Sequence, residues 1–449
     1  MKILAINGIL GYGYPRTSLK NGLKQNPDLI GVDAGSTDPG PHYLGAGISF
    51  TSRAAVKRDI ELVLPEALKR GIPFIIGTAG GSGGEPHLRW NKEIIEEIAK
   101  EKGLHFKLAL IHAEIEKEYL KGKLKEGKIK PMGPIPDLTE EDIEESIRIV
   151  GQMGTQPFIG ALEKKADVII AGRASDPAIY AALPLKEGYD PGLTWHAAKI
   201  IECGAMCCVP GTAADSIMAH LGKDYFLLEP LNPVRKCTPT SVAAHTLYEQ
   251  PNPYYLYESE GMMDLSQCRY EQYDDRMVRV SGSKFVLAEK PTIKIEGVAK
   301  AGYRTISIAG TRDPIMIDEI EEVTKAVGEH VKEVFRDKVS SKDYQLLFRL
   351  YGKDGVEGEI EPCKKRAHEL GIIIEVVAKT QEMANDVCAV ARSTMLHYHY
   401  KGRKTTAGNL AFPYSPSDIP MGASYRFNVY HLLELEDSSE LFPVELVNI

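Results

Sequence analysis

Residues 72–90, IPFIIGTAGGSGGEPHLRW, form the stretch on which the rest of the fold depends. The apolar run at 73–76 is typical of a strand that is buried on both faces of a parallel sheet. A charged helical pattern begins after Pro86. Between the strand and the helix lies a glycine-rich loop, residues 77–85, with five glycines in nine residues. Glycine loses the most conformational entropy on folding, so this density predicts close backbone approach or positive φ angles.

A glycine-rich loop between a strand and a helix predicts an anion-binding site. The N–H groups at a helix start favour negative charge, and open α/β sheets bind ligands beyond the carboxyl ends of their strands. A flexible surface loop is the alternative. The loop matches neither the phosphate-loop pattern nor Gly-x-Gly-x-x-Gly, so the sequence carries no NAD or flavin fingerprint. The substrate-binding residues expected here are Thr78, Gly80, Gly81, Ser82 and Gly83.

Two further polar loops follow predicted strands. DAGSTDPG (33–40) follows the strand 28–33, and GRASDP (172–177) follows the strand 166–171. Carboxylates can transfer protons, and arginine suits bidentate capture of a carboxylate or phosphate. A well-capped turn is the alternative for the first loop, and a structural ion pair is the alternative for the second. We expect catalytic roles for Asp33, Asp38, Arg173 and Asp176, and substrate binding by Ser36 and Ser175.

Composition and charge exclude several classes of protein. The 449 residues are 43% hydrophobic and 26% charged, which is typical of a globular protein with two or three domains. The net charge of −8 without a basic block argues against nucleic acid as a partner. No apolar run approaches the roughly 20 residues that span a bilayer, and the start MKILAINGILGYG is unlike a signal peptide. We therefore expect a cytoplasmic protein with no membrane partner.

The seven cysteines are scattered and odd in number, which predicts reduced thiols. Because no Cys-x-x-Cys pair occurs, structural zinc is not expected, and Cys207 and Cys208 are interpreted as buried sulfur. Glu202 and Cys203 are further site candidates at a predicted helix end. A nucleophilic Cys203 would need a nearby histidine, and none is adjacent in sequence.

Several histidines have spacings that could serve chemistry. His112 and Glu114 follow a predicted strand, where a structural histidine is the alternative to an acid, base or ligand. His245 and Glu249 would lie one turn apart on a short helix, although a structural or solvated pair is the favoured interpretation. A second pair, His397 and His399, is interpreted as a substrate or subunit contact, and whether it belongs to the site stays open.

The pattern of strands and helices predicts an α/β fold with a doubly wound, mostly parallel sheet and a C-terminal α+β sandwich domain. Residues 1–228 alternate strand and helix, and they carry the glycine-rich loop. Within them, residues 139–150 are predicted to be a capped acidic helix. Residues 229–290 are interpreted as a β-rich linking segment, and residues 291–449 as an α+β domain of ferredoxin-like character.

Six motifs together resemble the AtuA family, the acyclic terpene utilisation proteins. In chain order they are DAGSTDPG, GTAGGSGGEPH, GRASDP, SVAAHTLYE, GYRTISIAGTRDP and FPYSPSD. The resemblance covers nearly the whole length and implies catabolism of branched acyclic acids, in which carboxylates and coenzyme A thioesters are intermediates. It does not imply a particular reaction. The family's motif positions would be Asp33, Ser36, Asp38, Thr78, Gly80, Gly81, Gly83, Arg173 and Asp176.

The sequence thus predicts an enzyme acting on a small carboxylate or acyl-CoA-type substrate, as a lyase or hydratase in acyclic or branched acid catabolism. The alternative is a non-catalytic ligand-binding or regulatory subunit of a partner enzyme. A divalent metal is left open as a cofactor. The expected partners are a small anionic substrate and further copies of the chain in a homo-oligomer, and a small partner subunit is left open.

Overall fold

The computed structural model describes residues 1–248, 250–337, 340, 342–363, 365–404 and 406–449. Contacts divide the chain into two compact units. The first comprises Met1–Ala299 and Phe427–Ile449, and the second comprises Lys300–Arg426. This division keeps residues 229–290 within the first unit, whereas the sequence interpretation separated them as a linking segment.

The helices and strands have the following bounds. The α-helices are α1 (Arg16–Leu23), α2 (His42–Ala46), α3 (Arg53–Arg70), α4 (Glu85–Lys102), α5 (Lys117–Lys125), α6 (Glu140–Glu145), α7 (Gln156–Glu163), α8 (Ala178–Lys186), α9 (Pro191–Ile201), α10 (Pro239–Thr246), α11 (Pro314–Asp318), α12 (Ile320–Phe335) and α13 (Gln381–His397). The strands are β1 (Lys2–Ala5), β2 (Leu29–Asp33), β3 (Phe74–Gly77), β4 (Lys107–Ile111), β5 (Ile129–Pro131), β6 (Ser146–Gly151), β7 (Val168–Ala171), β8 (Cys208–Val209), β9 (Ile217–Leu221), β10 (Tyr225–Pro230), β11 (Lys236–Cys237), β12 (Tyr255–Glu258), β13 (Gly261–Asp264), β14 (Arg269–Gln272), β15 (Val278–Ser281), β16 (Lys284–Leu287), β17 (Thr292–Thr311), β18 (Tyr344–Tyr351), β19 (Leu370–Ala378), β20 (Asp418–Glu434) and β21 (Val444–Asn448).

The main sheet of the first unit has the strand order β14-β15-β10-β9-β1-β2-β3-β7-β4-β21. Its central strands β1, β2, β3, β7 and β4 are parallel, and the strands outside them pair antiparallel. The central strands are short apolar runs such as FIIG in β3 and VIIA in β7, and both are buried throughout. Apolar runs of this kind need cover on both faces, which parallel sheets receive from helices. The predicted α/β class is confirmed.

Helices cover both faces of this sheet. Alternate residues of a strand point to opposite faces, so Leu4 packs in a core with α1, α3 and α4. Its neighbours Ile3 and Ala5 pack in the other core, with α7, α8 and α9. The arrangement is the doubly wound one that the alternation of strands and helices predicted. Because helices cover both faces, the connecting loops lie at the ends of the parallel strands.

The second unit follows the order strand, helix, strand, strand, helix, strand. The sheet order there is β18-β19-β17-β20, with β17, β18 and β19 paired antiparallel. Helices α12 and α13 bury apolar faces in the same core as β18 and β19. This is the ferredoxin-like α+β sandwich expected from the sequence.

The predicted helix at 139–150 is wrong in its second half. A capping box between Thr139 and Asp142 starts α6 as expected, but the helix ends at Glu145 and residues 146–151 form β6. The segment SIRIVG is rich in β-branched residues, which fit a strand better than a helix. It pairs antiparallel with residues 295–299 of β17, and this distant partner is invisible to a local pattern.

None of the helices in the described ranges combines the length and the apolar character that crossing a membrane requires.

Candidate functional site

Three loops meet where neighbouring parallel strands end. Asp33, the last residue of β2, is in register with Gly77, the last residue of β3, and β7 lies beside β3. The Ser36 amide donates to the Gly81 carbonyl at 3.2 Å, and the Arg173 amide donates to the Gly83 carbonyl at 3.2 Å. The polar loops that the sequence singled out are therefore in direct contact, as parallel strands require.

Close packing between these loops accounts for Gly35 and Gly83. A Cβ on Gly35 would lie 2.2 Å from the Thr78 side chain, and one on Gly83 would lie 2.1 Å from the backbone nitrogen of Arg173. Gly83 also has a φ of +69°, a region that L-residues rarely adopt. The glycine-rich loop is buried at these positions rather than being a flexible surface loop.

The amide at the start of α4 binds a carboxylate of the protein itself. The Glu85 N–H donates to Glu114 Oε1 at 2.8 Å, and the next free amides of the turn donate to the Gly84 carbonyl. The turn after β1 behaves in the same way, since the amides of Gly11 and Gly13 donate to Asp59 Oδ2 at 2.9 and 3.0 Å. Anion binding was expected of the glycine-rich loop alone, and in both turns the amides bind a carboxylate of the protein itself. Substrate binding by Thr78, Gly80, Gly81, Ser82 and Gly83 stays a prediction.

Beneath these loops lies a group of charged side chains, which we call the carboxylate cluster. Its members come from the ends of β2, β7 and α9 and from β12 and β17, and each makes an ion pair, a hydrogen bond or an electrostatic contact with another member. They are Asp33, Arg173, Asp176, Lys199, Glu202, Glu258, Lys294 and Glu296.

Asp33 is the most enclosed acid of the carboxylate cluster. Its Oδ2 accepts the Gly35 amide at 2.9 Å, while its Oδ1 is buried without a hydrogen-bond partner among the described residues. Burial, together with the negative charge of Asp176, raises the pKa of Asp33 well above its ordinary value. The side chain therefore favours its protonated form more than an ordinary aspartate does.

Arg173 is bound by carboxylates of the protein itself. Its Nε lies 3.2 Å from Glu296 Oε2, and its Nη1 lies 3.5 Å from Asp176 Oδ1. Lys294 Nζ lies 2.6 Å from the other oxygen of Glu296. Although burial opposes it, attraction to Arg173 and Lys294 lowers the pKa of Glu296. Arg173 therefore forms structural ion pairs, which was the alternative to a role in substrate binding. Its positive charge also acts on Asp33 and Asp176.

Two glutamates have pKa values near neutrality. Burial raises the pKa of Glu202 to about 8, even though Lys199 Nζ lies 2.5 Å from its Oε1. Burial likewise raises the pKa of Glu258 to about 7, and the Ser175 hydroxyl donates to this carboxylate at 2.7 Å. The predicted residue Ser175 therefore contacts the cluster through a residue that the sequence did not indicate.

Asp176 connects the cluster with solvent. Charged neighbours surround it, yet 36% of its side chain is accessible. Burial raises the pKa of Asp176 against the attraction of Arg173 and Lys199. Its charge acts on Asp33, Glu202 and Glu258. A proton taken up at Asp176 thus changes the protonation of the other acids.

The carboxylate cluster has more acids than bases. Five carboxylates face three cations, so two negative charges lack a cationic partner within the set. Burial raises the pKa values of Asp33, Glu202 and Glu258, because a carboxylate removed from water favours its neutral form. Among the described residues, the carboxylates of this cluster do not form a set of three ligands close enough to hold one metal ion. The arrangement is suited to proton transfer.

The remaining sequence candidates lie outside the cluster. Asp38 is exposed, and its amide donates to Ser36 Oγ at 3.1 Å. His112 Nδ1 lies 2.8 Å from Glu85 Oε1, which makes it a partner of the start of α4. His245 is buried and stacks on Tyr248, while its expected partner Glu249 lies outside the described residues. Another pair, His397 and His399, belongs to the second unit.

Sequence reasoning missed Lys199, Glu258, Lys294 and Glu296. A weak signal exists for two of them, because the alternation in TIKIEGV places Lys294 and Glu296 on one face of β17. That face would ordinarily be interpreted as solvated. No sequence pattern around Lys199 or Glu258 distinguishes these residues from ordinary surface residues.

The sequence matches the family model described as acyclic terpene utilisation family protein AtuA, over residues 52–218 and 232–416. The chain belongs to the AtuA family. No curated protein and no solved structure matches it. Membership connects this AtuA protein with acyclic terpene utilisation. The matched ranges contain the cluster residues from Arg173 to Glu296, whereas the loop from Asp33 to Asp38 precedes them.

Proposed function

We propose that this AtuA protein is a lyase or hydratase that moves protons through the carboxylate cluster, acting on a small carboxylate or acyl-CoA-type substrate in acyclic or branched acid catabolism. The proposal rests on the position of Asp176. It is the acid of the cluster that combines solvent access with electrostatic contact to Asp33, Glu202 and Glu258.

Lyases and hydratases add or remove a proton next to a carbonyl group and stabilise the enolate that results. An acid with a pKa near the working pH can serve in both directions, and Glu202 and Glu258 have such values. A carboxyl group that stays protonated can also donate a hydrogen bond to a carbonyl oxygen as negative charge develops there. The buried acid Asp33 fits that second role.

We assign a separate role to each part of the cluster. Asp176 exchanges the proton with the substrate, and Asp33 and Glu202 hold or release the compensating proton. Arg173 and Lys199 place positive charge beside the reacting carbonyl while remaining paired with Glu296 and Glu202. Arg173 is thus a positioning residue, and the substrate's own carboxylate or phosphate would be bound outside the cluster by the loops above it.

The test is hydrogen exchange in D2O with 3-methylcrotonyl-CoA, a short β-methyl-branched thioester, and with its β-hydroxylated hydration product. Mass spectrometry follows deuterium incorporation and water addition, with and without Mg²⁺ or EDTA. Asp176→Asn should lower the rate roughly 100-fold or more, the usual contribution of a general acid or base. The matched control is Glu163→Gln, an exposed acid at the end of α7, which should leave the rate unchanged.

The same samples distinguish the alternative function. A thioester that raises the melting temperature but is never exchanged or converted would favour a non-catalytic ligand-binding subunit. Light scattering on the apo protein tests the homo-oligomer that we also propose.

A further inference from the structure

Cys207, Cys208 and Cys237 come together in the first unit, and we call them the three-sulfur cluster. β8 and β11 pair antiparallel, with Cys208 opposite Cys237. The two sulfurs of this pair lie 3.6 Å apart, and all three sulfurs lie within 4.8 Å of one another. All three side chains are buried. We propose that the three-sulfur cluster binds one thiophilic d10 metal ion, with Cu(I) as the preferred ion.

The spacing of the sulfurs suits a metal without rearrangement of the backbone. Thiolates bind such ions at about 2.3 Å, so three of them around one ion lie about 4 Å apart. The sulfurs already have separations of this size. Because Cys208 and Cys237 belong to paired strands, small side-chain rotations are enough to direct the sulfurs at one point.

The donor set favours Cu(I) over Zn(II). In the described part of the chain the group consists of three cysteines, with no histidine or carboxylate among its members. Protein sites for structural zinc are almost always four-coordinate. Soft thiolate ligands select Cu(I), for which three sulfurs form a complete ligand set.

The surroundings hold the ligands and offset their charge. The Cys237 amide donates to the Arg276 carbonyl at 2.8 Å, and the Cys237 carbonyl accepts from Gln272 Nε2 at 3.1 Å. The guanidinium group of Arg276 is in electrostatic contact with Cys237. That of Arg235, which is also paired with Asp215 at 2.7 Å, is in electrostatic contact with Cys208. Groups that fix and balance the ligands in this way strengthen metal sites.

An ion could reach the three-sulfur cluster from the surface. Cys207 and Cys208 lie between Met206 and Val209 in the chain, and these flanking residues are 41% and 45% exposed. Cys208 therefore lies next to an exposed position of the chain. A buried ligand set next to exposed neighbours is consistent with a site that loads after folding and retains its ion.

The test uses the full-length protein, reduced and kept anaerobic, titrated with Cu(I) against the chromophoric chelator bicinchoninate. A parallel titration uses Zn(II) with a zinc-specific chromophore. We expect one Cu(I) per chain and an X-ray absorption spectrum with three sulfur neighbours. Cys237→Ser should abolish the stoichiometric binding, while Cys388→Ser, at a buried cysteine of the second unit, should retain it.

A second measurement works even if Cys237→Ser fails to fold. Because all three thiols are buried, alkylation of the wild-type chain with iodoacetamide is followed in urea at concentrations where the apo chain opens, and it is mapped by mass spectrometry. Cys207, Cys208 and Cys237 should react more slowly when Cu(I) is bound than in the apo chain. Absence of stoichiometric Cu(I), or one Zn(II) per chain that Cu(I) cannot displace, would overturn the proposal. So would a Cys208–Cys237 disulfide in protein purified anaerobically, since those sulfurs would then be unavailable to a metal.

Discussion

At the scale of single residues, Gly83 shows how the loops constrain the sequence. Its carbonyl accepts the Arg173 amide, and its missing Cβ leaves room for the Arg173 backbone. The same backbone presents the guanidinium of Arg173 to Glu296 and Asp176. One glycine thus fixes the position of the central cation of the carboxylate cluster.

Gly83→Ala should destabilise the first unit by roughly 3 kcal/mol, because the new Cβ meets backbone atoms at a positive φ. Gly160→Ala is the matched control. Gly160 lies inside α7 with no atom within 4 Å of an added Cβ, so alanine should stabilise the helix by about 0.5–1 kcal/mol. Urea unfolding followed by tryptophan fluorescence measures both, because Trp90 and Trp195 belong to the first unit. Equal midpoints for the two variants would contradict the steric argument.

At the scale of elements, a carboxylate on α3 organises the turn between β1 and α1. Asp59 is fully buried, and it accepts hydrogen bonds from the amides of Gly11 and Gly13. Asn7 Nδ2 donates to the same oxygen at 3.3 Å. The helix therefore supplies the anion that the glycine turn is shaped to bind, and this links the first βα unit to α3.

Asp59→Ala should lower the free energy of unfolding by roughly 3 kcal/mol, because it leaves the part-buried amide of Gly11 and the buried amide of Gly13 without their acceptor. Glu66→Ala on the exposed side of the same helix removes a surface pair with Arg70 and should change stability by less than about 0.5 kcal/mol. Native-state hydrogen exchange gives a direct check, since the amides of Gly11 and Gly13 should lose protection only in Asp59→Ala. Unchanged protection of these amides would show that the carboxylate does not organise the turn.

At the scale of the whole molecule, the carboxylate cluster couples folding to protonation. Glu202 and Glu258 have pKa values raised to about 8 and about 7 by burial. An acid with a raised pKa binds more protons in the folded chain than in the unfolded chain. Its contribution to stability is complete below the unfolded pKa and is lost as pH rises through the folded pKa.

The first unit should therefore lose stability between about pH 4.5, the ordinary pKa of a glutamate, and about pH 8, the raised pKa of Glu202. Glu202→Gln should flatten this dependence because it removes a proton that titrates. Urea midpoints from tryptophan fluorescence at several pH values measure the slope. Glu163→Gln, which changes an exposed acid, should keep the wild-type slope. A midpoint that rises over this range would refute the assignment of protonated acids in the cluster.

The sequence by itself determined much of the local structure and which polar loops lie at the ends of parallel strands. Apolar runs ending in polar loops placed Asp33, Thr78, Arg173 and Asp176 at the ends of parallel strands, and such ends necessarily meet at one edge of a sheet. The ferredoxin-like order of the second unit was also readable, because periodicity and turn residues act over a few positions. The same locality explains the error at 146–151, where pairing with β17 decided between helix and strand.

Only the tertiary structure decided which charges face one another. Arg173 and its partner Glu296 are 123 residues apart in the chain, and Ser175 and Glu258 are 83 apart. It also decided that the glycine turns bind Asp59 and Glu114 and that Cys237 joins Cys207 and Cys208. Hydrophobic periodicity determines which side of a helix or strand is buried. Contacts between charged groups or thiols also depend on which distant segments of the chain pack together, and a local sequence pattern does not contain that information.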